Sequence, residues 1–339
     1  MKKVMKRIFL AVPLLLLFGG LLLGLSLHFT PKPLFALLNS VPLEAQLTKP
    51  AHYDTIAHRT TVKKDISYSS DYPASTLDLY LPDQITGPLP VVLFVHGGGF
   101  FKGDKEMAKY FGPTIASEQY AFVSLNYDLV PAATIFDQVK YVNAAVKFIA
   151  EEGANYSLKT DQLTLAGSSA GGFLALQLLS SYYDAQYAEK LGITPVPGMT
   201  FDSLLLYSAV YDLSAFQEYQ GNFASNYLLS KLGWGLTGVK NWQQDQALGE
   251  LLDLTRYVHK DFPPVFLTDG NTRTFTKQAQ DYARRLKAAG VPVETLFFDS
   301  ETVVGHGYQL QMDTPPAKSA LQKTLAFLER TTKTTPSQK

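Results

Sequence analysis

The sequence predicts an α/β protein, a mostly parallel eight-stranded sheet with helices on both faces. Three observations carry the prediction. From residue 61 onward, short apolar runs alternate with longer runs of helical spacing. Glycine-rich phrases follow two of the apolar runs, at Gly97-Gly98-Gly99 and at Gly171-Gly172, where a strand must turn sharply. Pro82, Pro88 and Pro90 bound the early strands, where a backbone ladder has to stop.

The elements follow in order. Lys2, Lys3, Lys6 and Arg7 precede an uncharged run over 8–27. Twenty residues at about 1.5 Å each reach across a bilayer's hydrocarbon core. Residues 1–29 therefore read as an uncleaved signal anchor, a single-pass transmembrane helix with its basic flank inside and the folded domain outside the cytoplasm. A cleaved signal peptide followed by secretion is the alternative. Gly24-Leu25-Ser26 is a poor cleavage site because it lies inside the apolar run. Residues 30–60 carry Pro31, Pro33, Pro42 and Pro50 and read as a stalk, with a short helix over 34–47.

The main domain is expected over 61–332. Its strands are expected at 62–68, 76–81, 91–95, 121–127, 163–166, 203–208, 265–268 and 293–298, the first two as an antiparallel hairpin. Helices are expected at 106–117, 135–152, 170–183, 277–289 and 317–331. Val139, Val142, Val146 and Ile149 give the second of these a buried stripe. Residues 184–200, with Pro195, Pro197 and Gly198, read as a loop. Residues 213–259 separate two strands by more than a crossover needs and carry Phe216, Tyr219, Phe223, Tyr227, Trp234 and Trp242. This stretch reads as a helical cap over a pocket. The polar tail 333–339 reads as disordered.

Composition narrows the function. Lys+Arg and Asp+Glu are both 30 of 339 residues, so the net charge is zero and no basic excess points to nucleic acid. Cysteine is absent, which excludes a disulfide framework and a thiol nucleophile. No His/Asp/Glu cluster has metal-ligand spacing, and no metal or cofactor is expected.

Three phrases suggest chemistry. Gly167-Ser168-Ser169-Ala170-Gly171 follows an apolar strand. Gly-x-Ser-x-Gly at a strand-to-helix turn holds its serine on a strained elbow. Only Ser169 has glycines on both sides at two residues' distance; Ser168 does not. His96-Gly97-Gly98-Gly99 follows another strand. The amides of Gly97, Gly98, Gly99 and Ala170 could converge on a developing oxyanion, Ala170 because a helix start leaves amides unpaired. His96 is expected to orient that loop. His306, between Gly305 and Gly307, is the base left by elimination among six histidines.

The region 61–330 resembles the α/β-hydrolase esterases and lipases with an HGGG loop, closest to the hormone-sensitive-lipase-like and bacterial carboxylesterase branch. The resemblance rests on residues 96–105 (HGGGFFKGDK), 126–131 (NYDLVP), 161–172 (DQLTLAGSSAGG) and 305–308 (GHGY). It implies an α/β-hydrolase fold and a catalytic triad. It also implies an acid in the turn after the seventh strand, in a phrase such as Gly-x-x-Asp. There the sequence departs from the pattern, with Thr272 and Arg273 at the expected positions. Asp269 lies in that turn, one residue before Gly270. Asp212, after the sixth strand, is the alternative acid; Asp299 is a third. A dyad helped by Asn271 is a further option. Asp128 stands where relatives carry arginine.

The expected activity is hydrolysis of short- to medium-chain acyl esters by Ser169, His306 and Asp269. The expected partners are a small-molecule or lipid-like ester and, through the N-terminal helix, a membrane. The alternatives are a non-catalytic binding protein on the same fold, an arylamidase and a sugar O-deacetylase.

Overall fold

The computed structural model describes residues 20, 24–41, 46–218 and 221–332. One sheet holds β1 (Thr60–Ser67), β2 (Thr76–Pro82), β3 (Val91–Val95), β4 (Ala121–Leu125), β5 (Gln162–Ser168), β6 (Thr200–Tyr207), β7 (Val265–Thr268) and β8 (Val293–Leu296). Their order is β1-β2-β4-β3-β5-β6-β7-β8. β2 is antiparallel to both its neighbours, and every other pairing is parallel.

Period-two alternation sends each central strand's side chains to two cores. Val92 and Phe94 pack with Phe111, Phe327 and Leu328 on one face. Val91, Leu93 and Val95 join Val139, Val142, Leu174 and Leu178 on the other. The helices that supply these partners are α3 (Phe111–Ala116) and α10 (Pro315–Thr332) on the first face, and α4 (Ile135–Glu152) and α5 (Ala170–Tyr183) on the second. Two earlier helices, α1 (Lys32–Ser40) and α2 (Tyr53–Ala57), precede the sheet. Capping fixes the start of α4: Thr134 accepts from the Asp137 amide at 3.2 Å, and Asp137 accepts from the Thr134 amide at 3.1 Å.

The helix expected over 34–47 runs over Lys32–Ser40 instead, and α2 falls in the stretch expected as a stalk. Within the sheet domain the structure departs from the expected helices and loops in two further places. The helix expected over 106–117 divides into a 3-10 turn, Lys105–Ala108, and α3. Pro113 explains the break. It lacks an amide proton and clashes with a continuous helix before it, but is tolerated in a first turn. The loop expected over 184–200 contains α6 (Ala185–Leu191). Asp184 caps it by accepting from the Tyr187 amide at 2.9 Å, and Gly192, at φ 66°, ends it. The prolines beyond Gly192 had masked this short helix.

Between β6 and β7 lie a turn at Ser214–Phe216, α7 (Phe223–Thr237) and α8 (Gln246–Leu252). Tyr219 lies outside the described residues. After β7 comes α9 (Thr276–Ala288). The segment before the domain packs on it: Phe35 of α1 is fully buried, and its ring meets Phe101 at 5.6 Å. A Cβ on Gly235 of α7 would sit 2.0 Å from the Phe35 ring. Most of the apolar run 8–27, residues 42–45 of the helix expected over 34–47, and the tail 333–339 lie outside the described residues. Among the described residues, no helix is long and apolar enough to cross a membrane.

Candidate active site

The elbow comes from strand meeting helix with no slack between. Ser169 joins β5 to α5 at φ 54° and ψ −120°, a strained backbone for a residue with a side chain. Gly171 is required by close approach: a Cβ there would lie 2.1 Å from the Val95 carbonyl oxygen and 2.3 Å from that of His96. Ser168 turns inward, buried, and its hydroxyl accepts from Gln309 at 2.8 Å. Ser169 is left facing the cleft.

The loop after β3 is fixed from beneath. His96 is fully buried, and its ring stacks on Tyr127 at 4.3 Å. Desolvation lowers its pKa to about 4, so the ring is neutral at pH 7. Its Nδ1 lies 2.7 Å from the Gly97 carbonyl, to which it therefore donates. The ring thus ties the start of the loop to Tyr127 beneath it. Gly98 sits at φ 118°, where the chain doubles back and its carbonyl accepts from the Lys102 amide at 2.9 Å. Among the described residues, the amides of Gly98, Gly99 and Ala170 donate to no other group. Gly97, Gly98 and Gly99 line the cleft beside Ser169, while Ala170 lines an adjoining cavity.

His306 arrives from the loop after β8. Its Nε2 lies 2.8 Å from Ser169 Oγ. Its Nδ1 meets the Thr274 hydroxyl at 2.9 Å. That hydroxyl donates to Asp269 Oδ1 at 2.5 Å. Asp269 is fully buried and also accepts from the Gly270 amide at 2.8 Å. Asp269 and His306 thus meet through the Thr274 hydroxyl rather than by a direct hydrogen bond. Thr274 carries no signal in the sequence, because an isolated threonine in a turn has many uses.

The charges of the pair act on each other. Desolvation lowers the His306 pKa, and Asp269 opposes that shift. Desolvation raises the Asp269 pKa, against the hydroxyls of Thr274 and Ser208, the His306 ring and the Gly270 amide. A neutral imidazole beside a serine hydroxyl is a competent base at neutral pH.

The other acid candidates are engaged elsewhere. Asp212 Oδ1 accepts from the Ser214 amide at 2.8 Å and the Ala215 amide at 3.2 Å, which fixes the first turn of the cap. Asp299 accepts from the Glu301 amide at 3.1 Å. Asn271 bonds the carbonyls of Asp299 and Thr302 and accepts from the Val304 amide, so it braces the loop after β8. Asp128, in the place of an arginine, accepts from the Tyr141 hydroxyl at 2.6 Å.

Ser169 lies between two spaces of different chemistry. One is a cleft of ≈ 1060 Å³, with Lys102, Asp104, Glu106 and Gln311 among its walls. The other is an almost wholly apolar cavity of ≈ 230 Å³, walled by Phe100, Phe101 and Val210 and roofed by Leu229, Leu232 and Leu236 of α7. α7 thus covers the apolar side.

Esterase LipI of Mycobacterium tuberculosis is 28% identical over 241 residues, covering 67% of this chain and 67% of that protein. Carboxylesterase NlhH of the same organism is 26% identical, covering 74% and 77%. Probable isoprenylcysteine alpha-carbonyl methylesterase ICMEL1 of Arabidopsis thaliana is 35% identical over 114 residues, 34% of this chain. The chain spans about a quarter of the length of such plant methylesterases, 24% for that one. In fold, Esterase B from Lactobacillus rhamnosis superposes with a TM-score of 0.71 at 24% identity, over 84% of this chain and 91% of that one. With residues 77–286, more than half of its length, matching the family model described as BD-FAE, the chain belongs to that family and has the α/β-hydrolase fold of the esterases.

Proposed function

We propose that the protein is a serine carboxylesterase/lipase that hydrolyses short- to medium-chain acyl esters. The 2.8 Å contact between Ser169 Oγ and His306 Nε2, beside unpaired loop amides, carries this reading. Ser169 attacks the ester carbonyl while His306 takes its proton. The oxyanion accepts hydrogen bonds from the Gly98 or Gly99 amide and from Ala170. His306 returns the proton to the leaving alcohol as the C–O bond breaks. Water, activated by the same ring, then frees the acid and Ser169. Asp269 stabilises the imidazolium.

The acyl chain is assigned to the apolar cavity and the alcohol to the polar cleft. A cavity of ≈ 230 Å³ lies below the roughly 300–1,000 Å³ of drug-sized pockets, which favours short chains. The test is hydrolysis of p-nitrophenyl esters from acetate to laurate, together with fluorophosphonate labelling. Rates should peak at short to medium length, with the probe on Ser169. Absence of both hydrolysis and labelling rejects the reading.

The basic cluster and the apolar run 8–27 support a membrane-anchored form with its active site outside the cytoplasm. Protease added to intact cells should then digest the domain while the N-terminal peptide stays cell-associated. A mature form starting beyond residue 26 and free in the medium would reject the anchor.

A further inference from the structure

We propose that Thr274 is a positioning residue that carries the Asp269–His306 interaction through its hydroxyl, so that the site runs on four side chains in series. The proposal rests on the serine esterase reading above.

Counting protons supports it. An ionised carboxylate only accepts, and a threonine hydroxyl has a single proton to give. Thr274 Oγ1 lies 2.5 Å from Asp269 Oδ1 and 2.9 Å from His306 Nδ1. With the hydroxyl proton on the carboxylate, a lone pair of Thr274 faces Nδ1, and Nδ1 must carry the ring proton. Nε2 is then bare, 2.8 Å from Ser169 Oγ, which is the tautomer a base requires. The reverse orientation would turn a hydroxyl lone pair toward the buried carboxylate and leave Nε2 protonated against the serine.

The surrounding turn fixes this arrangement. Asp269 is held by the Gly270 amide at 2.8 Å, and the Thr276 hydroxyl closes the turn on the Gly270 carbonyl at 2.6 Å. Arg273, at φ 52°, is the left-handed residue just before Thr274. Arg273 also occupies the position where the resemblance places an acid. A carboxylate one residue before the glycine and a hydroxyl four residues after it together replace one direct acid. The inserted hydroxyl lengthens the path between charges, so Asp269 reaches the imidazolium chiefly by polarising Thr274.

The test compares Thr274→Val, Thr274→Ser, Asp269→Asn and the Val/Asn double variant on p-nitrophenyl butyrate over a range of pH. Thermal unfolding and Ser169 labelling are followed in parallel. Thr274→Val, which keeps shape and loses the hydroxyl, should lower kcat about 10²- to 10³-fold. KM should stay within about threefold, and the acid limb should move to lower pH, because the imidazolium loses support. Thr274→Ser should restore most of kcat and the wild-type limb. The double variant should be no slower than the slower single, since the two residues act as one unit. If Thr274→Val fails to fold, Thr274→Ala takes its place.

A folded Thr274→Val or Ala enzyme with kcat within about threefold of wild type and an unmoved limb overturns the proposal. Additive losses in the double variant also overturn it. A wild-type protein that neither hydrolyses esters nor takes the probe sinks the esterase reading instead.

Discussion

The serine side of the site and the histidine side are built by opposite means. Around Ser169, backbone does almost everything. The ends of β3 and β5 approach until no Cβ fits at Gly171, and the amides of Gly98, Gly99 and Ala170 beside it are left without partners among the described residues. Around His306, side chains do the work. Asp269, Thr274 and the ring come from two loops tied by Asn271 and by a bridge between Thr272 and Gly305. Backbone sterics admit one residue type, so that half has a single solution. Hydroxyls and carboxylates can exchange places while the ring keeps its partner, so the other half has several.

Five substitutions sharpen this contrast. Ser169→Ala should reduce kcat by roughly 10⁶-fold and abolish probe labelling, while Ser168→Ala keeps most activity. Wild-type rates in Ser169→Ala would move the reaction off the elbow. Asp269→Asn should cost between roughly 10² and 10⁴ in kcat, less than the serine because the nucleophile and its base remain. Its pH profile has a defined sign. Asp269 holds the His306 pKa up against desolvation, so removing the charge should shift the acid limb of kcat/KM to lower pH. A limb moving upward would show that the carboxylate does not act on the ring.

Leu232→Phe fills the roof of the apolar cavity and should lower the hexanoate-to-acetate ratio of kcat/KM about tenfold. An unchanged ratio would place the acyl chain in the polar cleft. The smallest effect is expected from Asp212→Ala. It removes the cap's first-turn acceptor, at about 1 kcal/mol of stability in a denaturant titration, with kcat within about threefold. A large loss of kcat there would make Asp212 the acid after all.

The same contrast explains what the sequence made legible. All eight strands could be placed from apolar runs and prolines; the inner ones, buried on both faces, leave the strongest compositional trace, while the edge strands β1 and β8 are partly exposed. Ser169 could be singled out as a candidate because contact distance demands glycine at 167 and 171, and His306 because the other five histidines lie before the last strand. Asp269 could be singled out as an acid candidate by its place in the turn, but its route to the ring could not. That route depends on a rotamer of Thr274 and on the left-handed turn at Arg273, and neither has a sequence period. Short α6 left little trace because it is only seven residues long and Pro195, Pro197 and Gly198 just beyond it suggest a loop.

Phe35 has a mechanical consequence. Its ring, from a helix that precedes the sheet, is wedged between Phe101 and the glycine face of α7. Phe101 walls both the apolar cavity and the cleft, while α7 forms the cavity's roof. The roof is therefore latched by a residue outside the cap itself. Lifting α7 away would expose a buried phenylalanine, worth about 1.5–3 kcal/mol, before any substrate contact is counted. A pull on the segment leading into α1 would load that latch, so force there and access to the apolar cavity share one hinge pin.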